Sequence, residues 1–503
     1  MRLNLDEIAL CLSESGAGPG GYAPGMVIWD GPGGLPAPWA DLTPTGAQID
    51  SRKVEPGNLF FCLPGEHVDG HDFALAAAKS GALAIVASRN PWSGKAVDVA
   101  GLSLPPVFLV GDVRRALARV AKRHRGTCQA RVIGITGTAG KTSVKEALAQ
   151  VLEMRGRTER NPLNLNNQIG LPVSMLNASV DASFWVMEAG ISEVGDMEEL
   201  GQMLRPDVAI ILNVGDGHVS GLGELGVAVH KARLIDSVQP GGTAVISMDY
   251  PDLNRQVDER LGDLSRRGVQ LLRFSHLSGT GAAADVAKAY ARAAYAGPGG
   301  VYKVWTKNLH FEVETPFRGD FGSENVAAIV AVAVKLGLSR EEISEGFALA
   351  RLPEQRFCAE RFPHCTLLDD SYNANPLSAT RMIQAARSMA DEYGQSLALV
   401  MGEMLELGVK AESAHEALGE SMAQARPEVV FWKGGHAGDV LRGLRKGGYG
   451  GKLYPVAGAQ EFDVLLEEFG LNNVLILFKG SRGNKLERLV AVFREKVSPA
   501  GEN

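Results

Sequence analysis

Over residues 132–155 a buried-strand pattern, a glycine-rich turn and a helical stripe follow one another, and that order admits few folds. Val132-Ile133-Gly134-Ile135 reads as a buried strand. Lys141 to Arg155 carries apolar residues at Val144, Leu148, Val151 and Leu152, the spacing of one helix face, with Gly156 placed to cap it. Between the two lies Gly137-Thr138-Ala139-Gly140-Lys141-Thr142. Glycines let backbone N–H groups converge on phosphate oxygens without a Cβ in the way. The helix N-terminus adds partial positive charge, Lys141 adds a full one, and the Thr142 hydroxyl suits Mg²⁺. The spacing is shorter than the common GxxxxGK[ST] form, since Gly134 stands six residues before Gly140, not five; the match is to a GTxGKT loop. A merely solvated turn would not need a strand before it and a helix after it, so phosphate binding is the stronger reading.

At 503 residues the chain exceeds the ~250–300 at which a single hydrophobic core stops growing, so about three domains are expected. Residues 13–44 are rich in Gly and Pro and read as an irregular excursion within the first domain. A turn at Pro56-Gly57, a strand at Asn58 to Leu63, a helix at Phe73 to Ser80 and a strand at Ala82 to Ala87 make a small α/β unit. Beyond the glycine loop, strands at Phe184–Met187, Val208–Leu212 and Thr243–Ser247 alternate with helical segments, predicting a mainly parallel sheet covered on both faces. Residues 250–318 are less regular and are left without a detailed assignment. A further alternation, with strands at Thr366–Leu368, Ala398–Met401, Val429–Trp432 and Val474–Phe478, predicts a Rossmann-like third domain, and Ser498 to Asn503 reads as a frayed end. The expected α/β domains are 1–127, 128–351 (P-loop ATPase-like) and 352–503.

Composition narrows the classes further. With 45% hydrophobic and 22% charged residues, wholesale disorder is excluded. A net charge of -7 supplies no global basic field for nucleic acid, so any anion must be met by local donors. The five cysteines (Cys11, Cys62, Cys128, Cys358, Cys365) include no CxxC pair, which disfavours a disulfide framework or a zinc site. No apolar run approaches the ~18 residues of a membrane span, and Asp6 and Glu14 do not suit a signal peptide, so a cytoplasmic protein without membrane insertion is expected.

Asn161-Pro162-Leu163-Asn164-Leu165-Asn166-Asn167-Gln168-Ile169-Gly170-Leu171-Pro172 is dense in amides, which serve equally to bind phosphate or sugar and to make turns. Glu188 and His218 follow predicted parallel strands, at the carboxyl ends where open α/β sheets place ligands. A carboxylate with Thr142 and nucleotide phosphates suits Mg²⁺; a histidine is a less usual partner. Lys231, from the residues alone, reads as a surface cation.

Taken in order, the Gly137–Thr142 loop, Asn164–Pro172, Glu188, His218 and Lys231 resemble the Mur ligase family, ATP-dependent amide-bond-forming enzymes of peptidoglycan synthesis. Asp50-Ser51-Arg52, Pro56-Gly57 and Asp69-Gly70-His71-Asp72-Phe73 resemble its uridine-nucleotide module. The segments Asp369-Asp370-Ser371-Tyr372-Asn373-Ala374-Asn375-Pro376, Gly402 to Gly408, His415 and Lys479-Gly480-Ser481-Arg482 are similar to the branch that joins D-Ala-D-Ala to UDP-MurNAc-tripeptide. The Asp-Asn-Pro-Arg motif of the preceding ligase is absent.

The resemblance implies ATP with two Mg²⁺ ions, an acyl-phosphate intermediate, and a monomer that takes these two small molecules as substrates. It implies Lys141, Glu188, His218 and Lys231 as catalytic, and Thr142, Glu188, His218 and a CO₂-carbamylated Lys231 as metal ligands. Nucleotide contacts are implied for Gly137 to Ser143, Asn325, Arg356 and Asp370, and substrate contacts for Ser51, Arg52, Asn166, Asn167, Tyr372, Asn373 and Asn375. One departure stands out: where the family usually has His-Asn-x-x-Asn for adenine, the chain has Phe321-Gly322-Ser323-Glu324-Asn325, and Gly215-Asp216-Gly217 stands before His218 in place of a more usual Pro-Ala. A folylpolyglutamate-type ligase and a non-catalytic nucleotide-binding regulator are the alternatives; the Asp50–Arg52 and Tyr372–Pro376 segments disfavour the first, and the intact lysines the second.

Overall fold

A strand that is apolar at successive positions must be covered on both faces, and residues 365–479 meet that demand with helices on either side of one sheet. In the computed structural model, residues 1–13, 28–29, 39–65, 67–92, 104–215, 222, 226–276, 288–297 and 299–497 are described. The expectations for 14–27, 30–38, His218 and 498–503 lie outside them. The chain divides into two compact units: Met1–Gly134 with Gly156–Gly190 and Asp196–Asp207, and Ile135–Arg155 with Ile191–Gly195 and Val208–Asn503.

In the first unit, β1 (Ile28–Trp29), β2 (Gly46–Gln48), β3 (Asn58–Phe61), β4 (Ala84–Ala87) and β5 (Val107–Leu109) form a parallel sheet in the order β1-β5-β4-β3-β2. One side packs Phe60, Cys62, Ile85, Ala87 and Val107 against Ala74, Ala77 and Ala78 of the helix Ala74–Lys79. The helix Val113–Thr127 starts at Asp112, whose carboxylate accepts the Arg115 N–H, an N-cap worth about 1 kcal/mol. Near its end, buried Arg125 donates to the Leu204 carbonyl at 3.0 Å and to Asp207 Oδ2 at 2.9 Å. The same Asp207 oxygen accepts the Val132 N–H at 2.8 Å, at the start of β6 (Arg131–Thr136). β7 (Thr158–Arg160) and β8 (Phe184–Glu188) pair in parallel.

In the second unit, β9 (Val208–Ile211), β10 (Thr243–Ser247), β11 (Gln270–His276) and β12 (Ala291–Gly297) run parallel, and β13 (Val301–Thr306) and β14 (His310–Glu314) continue antiparallel. Among the described residues of 250–318, a less regular stretch of the sequence, lie the helices Pro251–Asp258 and Leu261–Arg266, the parallel pair β11 and β12, and an antiparallel extension through β13 and β14. The helix Lys141–Glu153 ends at Met154, short of Gly156, so the expected glycine cap is not used. Further on, β15 (Cys358–Arg361), β16 (Cys365–Asp369), β17 (Ser396–Gly402), β18 (Val429–Lys433), β19 (Lys452–Pro455) and β20 (Val474–Lys479) form a sheet ordered β15-β16-β20-β17-β18-β19. Its four central strands are those expected from the sequence. Leu397, Leu399, Val430, Trp432, Leu475 and Leu477 fill one face, Ala398, Val400, Phe431, Ile476 and Phe478 the other. Truncating a buried aromatic such as Trp432 to Ala would cost ~3–5 kcal/mol. Both added strands lie at the sheet edges, where half-buried sequences lack the apolar runs that mark central strands.

Candidate active site

Gly140 ends the glycine loop at φ +80°, a conformation L side chains rarely adopt, and an added Cβ would lie 2.7 Å from Asn325 Oδ1. Glycine is therefore required here on two counts, backbone angle and space. The helix Lys141–Glu153 begins at the next residue, with Thr142 buried in its first turn. Asn213, following β9, holds the loop from behind: its Oδ1 accepts the N–H of Thr138 at 3.0 Å and of Ala139 at 2.8 Å. Its Nδ2 donates to the Ala139 carbonyl at 3.1 Å. Thr138 Oγ1 accepts the Gly215 N–H at 3.1 Å.

Lys141 Nζ donates to the Gly137 carbonyl at 2.9 Å, and Lys231 Nζ donates to the same oxygen at 3.0 Å. Lys231 lies on the short helix Val227–Ala232 and is 3% exposed. The surface reading from its residue type is therefore corrected: the helix turns this side chain inward, onto the loop. Periodicity over six residues could not have shown that.

Of the residues implied in the third domain, several converge. Lys479, buried at the end of β20, donates to Asp370 Oδ2 at 2.5 Å and to the Asn373 carbonyl at 3.0 Å. Asp370 Oδ1 accepts the Phe357 N–H at 3.1 Å. The Arg356 guanidinium sits over the Tyr372 ring at 4.1 Å, a cation–π contact. Asn373 Oδ1 accepts the Ala374 N–H at 2.9 Å. Asn375 caps the helix Pro376–Tyr393 through a capping box with Ser378, and its Nδ2 donates to the Thr138 carbonyl at 3.2 Å. Asn325 is buried in the helix Gly319–Lys335, and Phe321, which stands in the place of the usual histidine, packs edge-on against Phe357 at 5.3 Å.

In the first unit, Glu188 ends β8, buried, with Oε1 accepting from Asn166 Nδ2 at 2.6 Å. Asn161 Oδ1 accepts the Glu188 N–H at 2.8 Å, and Asn166 O accepts that of Gly190 at 2.9 Å. Asn167 Oδ1 accepts the N–H groups of Ile169 and Gly170, opening the helix Gly170–Asn177. The amide-rich loop thus aims a carboxylate and starts a helix. Ser51 is buried, whereas Arg52 is exposed and forks onto Asp50. That hydrogen-bonded Arg52 side chain lowers the Asp50 pKa to about 2.

Residues without an assigned role in the sequence also belong to the constellation: Asn213, Glu324, Arg381 and Lys479. Asn213 gave a signal by following a parallel strand; Glu324 and Arg381 gave none. Among the described residues no group of three His, Cys, Asp or Glu side chains could hold a metal ion by itself. Among them, too, no helix is long and apolar enough to cross a membrane.

A glycine loop opening a helix, beside a Rossmann-like sheet, defines a nucleotide-dependent α/β enzyme of the P-loop kind. The chain belongs to the Mur ligase family, a family of ATP-dependent ligases. The family models match residues 44–125 (Mur ligase family, catalytic domain), 135–333 (Mur ligase middle domain) and 356–482 (Mur ligase, glutamate ligase domain). It is 32% identical over 461 residues to the UDP-N-acetylmuramoyl-tripeptide–D-alanyl-D-alanine ligase of Escherichia coli, covering 91% of this chain and 95% of that protein. The ligase of the same name from Bacillus subtilis is 29% identical over 460 residues, with 88% and 92% covered. Among solved structures, a MurF from Acinetobacter baumannii matches with a TM-score of 0.76 at 26% identity, covering 92% and 95%. A MurF ligase from Thermotoga maritima in complex with ADP matches at 0.71 and 25% identity, covering 91% and 98%.

Proposed function

We propose that the chain is a UDP-N-acetylmuramoyl-tripeptide–D-alanyl-D-alanine ligase, acting as a cytoplasmic monomer on UDP-MurNAc-tripeptide, D-Ala-D-Ala and ATP. The observation that carries this reading is the meeting of Lys141 and Lys231 on the Gly137 carbonyl, which concentrates positive charge beside a loop shaped for phosphate. The relatives are named for these substrates. The domains are taken as 1–127 for the uridine nucleotide, through Ser51 and Arg52, 128–351 for ATP, and 352–503 for the incoming dipeptide.

In the reaction, a carboxylate oxygen of the tripeptide attacks the γ-phosphorus and the bond to ADP breaks, giving an acyl phosphate. The dipeptide amine then attacks the acyl carbon, loses a proton, and the C–O bond to phosphate breaks. Both steps depend on charge neutralisation and in-line positioning. Gly137 to Ser143 are assigned to the phosphates through the loop amides that Asn213 does not hold and the Thr142 and Ser143 hydroxyls, and Lys141 balances their charge. Mg²⁺, when bound, screens the phosphate oxygens; Thr142, Glu188, His218 and a carbamate on Lys231 are the groups that would hold it. A carbamate turns a cation into an oxygen-donating anion, which removes the repulsion between two ammonium groups on one carbonyl and suits a hard metal ion. Asn325, Arg356 and Asp370 are assigned to the nucleotide. Asn166, Asn167, Tyr372, Asn373 and Asn375 are assigned to the peptide substrates.

A phosphate-release assay tests the proposal, with ATP, Mg²⁺, UDP-MurNAc-tripeptide and each candidate amine supplied in turn. Release that requires D-Ala-D-Ala, with the pentapeptide product seen by mass spectrometry, is expected. Release driven by glutamate, or none with any amine, would overturn it.

A further inference from the structure

Glu324 is a charged side chain with 1% exposure, and no step above uses it. It stands one residue before Asn325 in the helix Gly319–Lys335. Its Oε2 accepts from Asn213 Nδ2 at 2.9 Å and from Arg381 Nη1 at 2.7 Å. Arg381 lies on the helix Pro376–Tyr393, and its other arm reaches the Tyr250 hydroxyl.

An asparagine amide can point either way round, and what it faces decides. A carboxylate only accepts, so Glu324 compels Asn213 to turn its NH₂ inward and its carbonyl toward the glycine loop. That carbonyl receives the Thr138 and Ala139 N–H groups. The loop's shape thus depends on a carboxylate that can stay buried because a guanidinium faces it. The same helix also sends Asn375 to the Thr138 carbonyl. We propose that Glu324 and Arg381 are positioning residues for nucleotide binding, an ion pair that orients Asn213 and so fastens the phosphate loop to the helix Pro376–Tyr393. The proposal rests on the reading that this loop holds the nucleotide phosphates.

The test measures ADP affinity by calorimetry, and KM for ATP and for the dipeptide, in Arg381→Met, Glu324→Gln and the double variant. Stripping Arg381 leaves a lone buried carboxylate, so the ADP Kd and the KM for ATP should rise at least about tenfold while the KM for the dipeptide stays within about twofold. The double variant has no lone charge, and its glutamine oxygen still accepts from Asn213, so it should return to within about threefold of the parent. Unchanged ADP affinity in folded Arg381→Met, an equal rise in both KM values, or no recovery in the double variant would overturn the proposal. Should Arg381→Met not fold, Arg381→Lys keeps the charge but loses the arm to Tyr250. A rise of about threefold in the ADP Kd is then expected, and parental affinity would overturn the pairing. Lys141→Ala run alongside separates the two claims: if it too leaves ADP binding intact, the loop reading fails, not the ion pair alone.

Discussion

Lys141 and Lys231, ninety residues apart in the chain, donate to one carbonyl oxygen, that of Gly137. Two ammonium groups at one acceptor repel each other unless an anion or a change of charge intervenes. Substituting either with Ala should cut kcat by a factor of about 10²–10³, the effect of losing one preorganised charge, with the thermal unfolding curve little changed. Steady-state kinetics on the folded variants give the measurement. Carbon NMR under isotope-labelled CO₂ should show a carbamate signal in the parent that is missing from Lys231→Ala.

Lys479 and Asp370 form a buried pair, with side chains 2% and 13% exposed. Breaking one half of such a pair strands the other, so Lys479→Met should destabilise the domain that contains it by about 3–5 kcal/mol. Urea unfolding followed by Trp432 fluorescence reports on that sheet. Adding Asp370→Asn to the methionine variant should recover most of the loss.

These two residues show how far the sequence could be read. The central strands of each sheet were legible, because Val, Ile, Leu and Phe runs such as Val474 to Phe478 must be buried wherever they fall. The glycine loop was legible from its flanks. Edge strands such as Lys452–Pro455 were not, since half-exposed residues carry a weak signal, and neither was the meander after residue 290. Lys479 was recognisable only as part of a motif. That it turns back to Asp370 depends on β16 and β20 being neighbours, a pairing across about a hundred residues that no local pattern encodes. Glu324 and Arg381 were invisible for the same reason.

His124 provides a prediction on pH. It is fully buried against the Trp185 ring, centroids 5.9 Å apart, and burial lowers its pKa from 6.5 to about 4. The folded state therefore binds fewer protons than the unfolded one between these values, and stability falls as the pH drops from about 6.5 toward 4. At pH 5 the loss is about 2 kcal/mol relative to pH 7.5. In His124→Leu that share of the acid sensitivity should vanish, visible as a smaller difference between denaturation midpoints at the two pH values. An equal difference in both proteins would contradict the assignment.

The run of strands from β9 in the second unit ends on β14, where Phe311 and Val313 point inward while His310, Glu312 and Glu314 are exposed. An outer strand offers unpaired backbone groups to any passing chain, yet here every second side chain carries polarity or charge on the open side. Another molecule adding itself there would have to desolvate two carboxylates. This border is thereby guarded against runaway stacking, at crowded concentrations as well as during slow assembly of the parallel strands behind it.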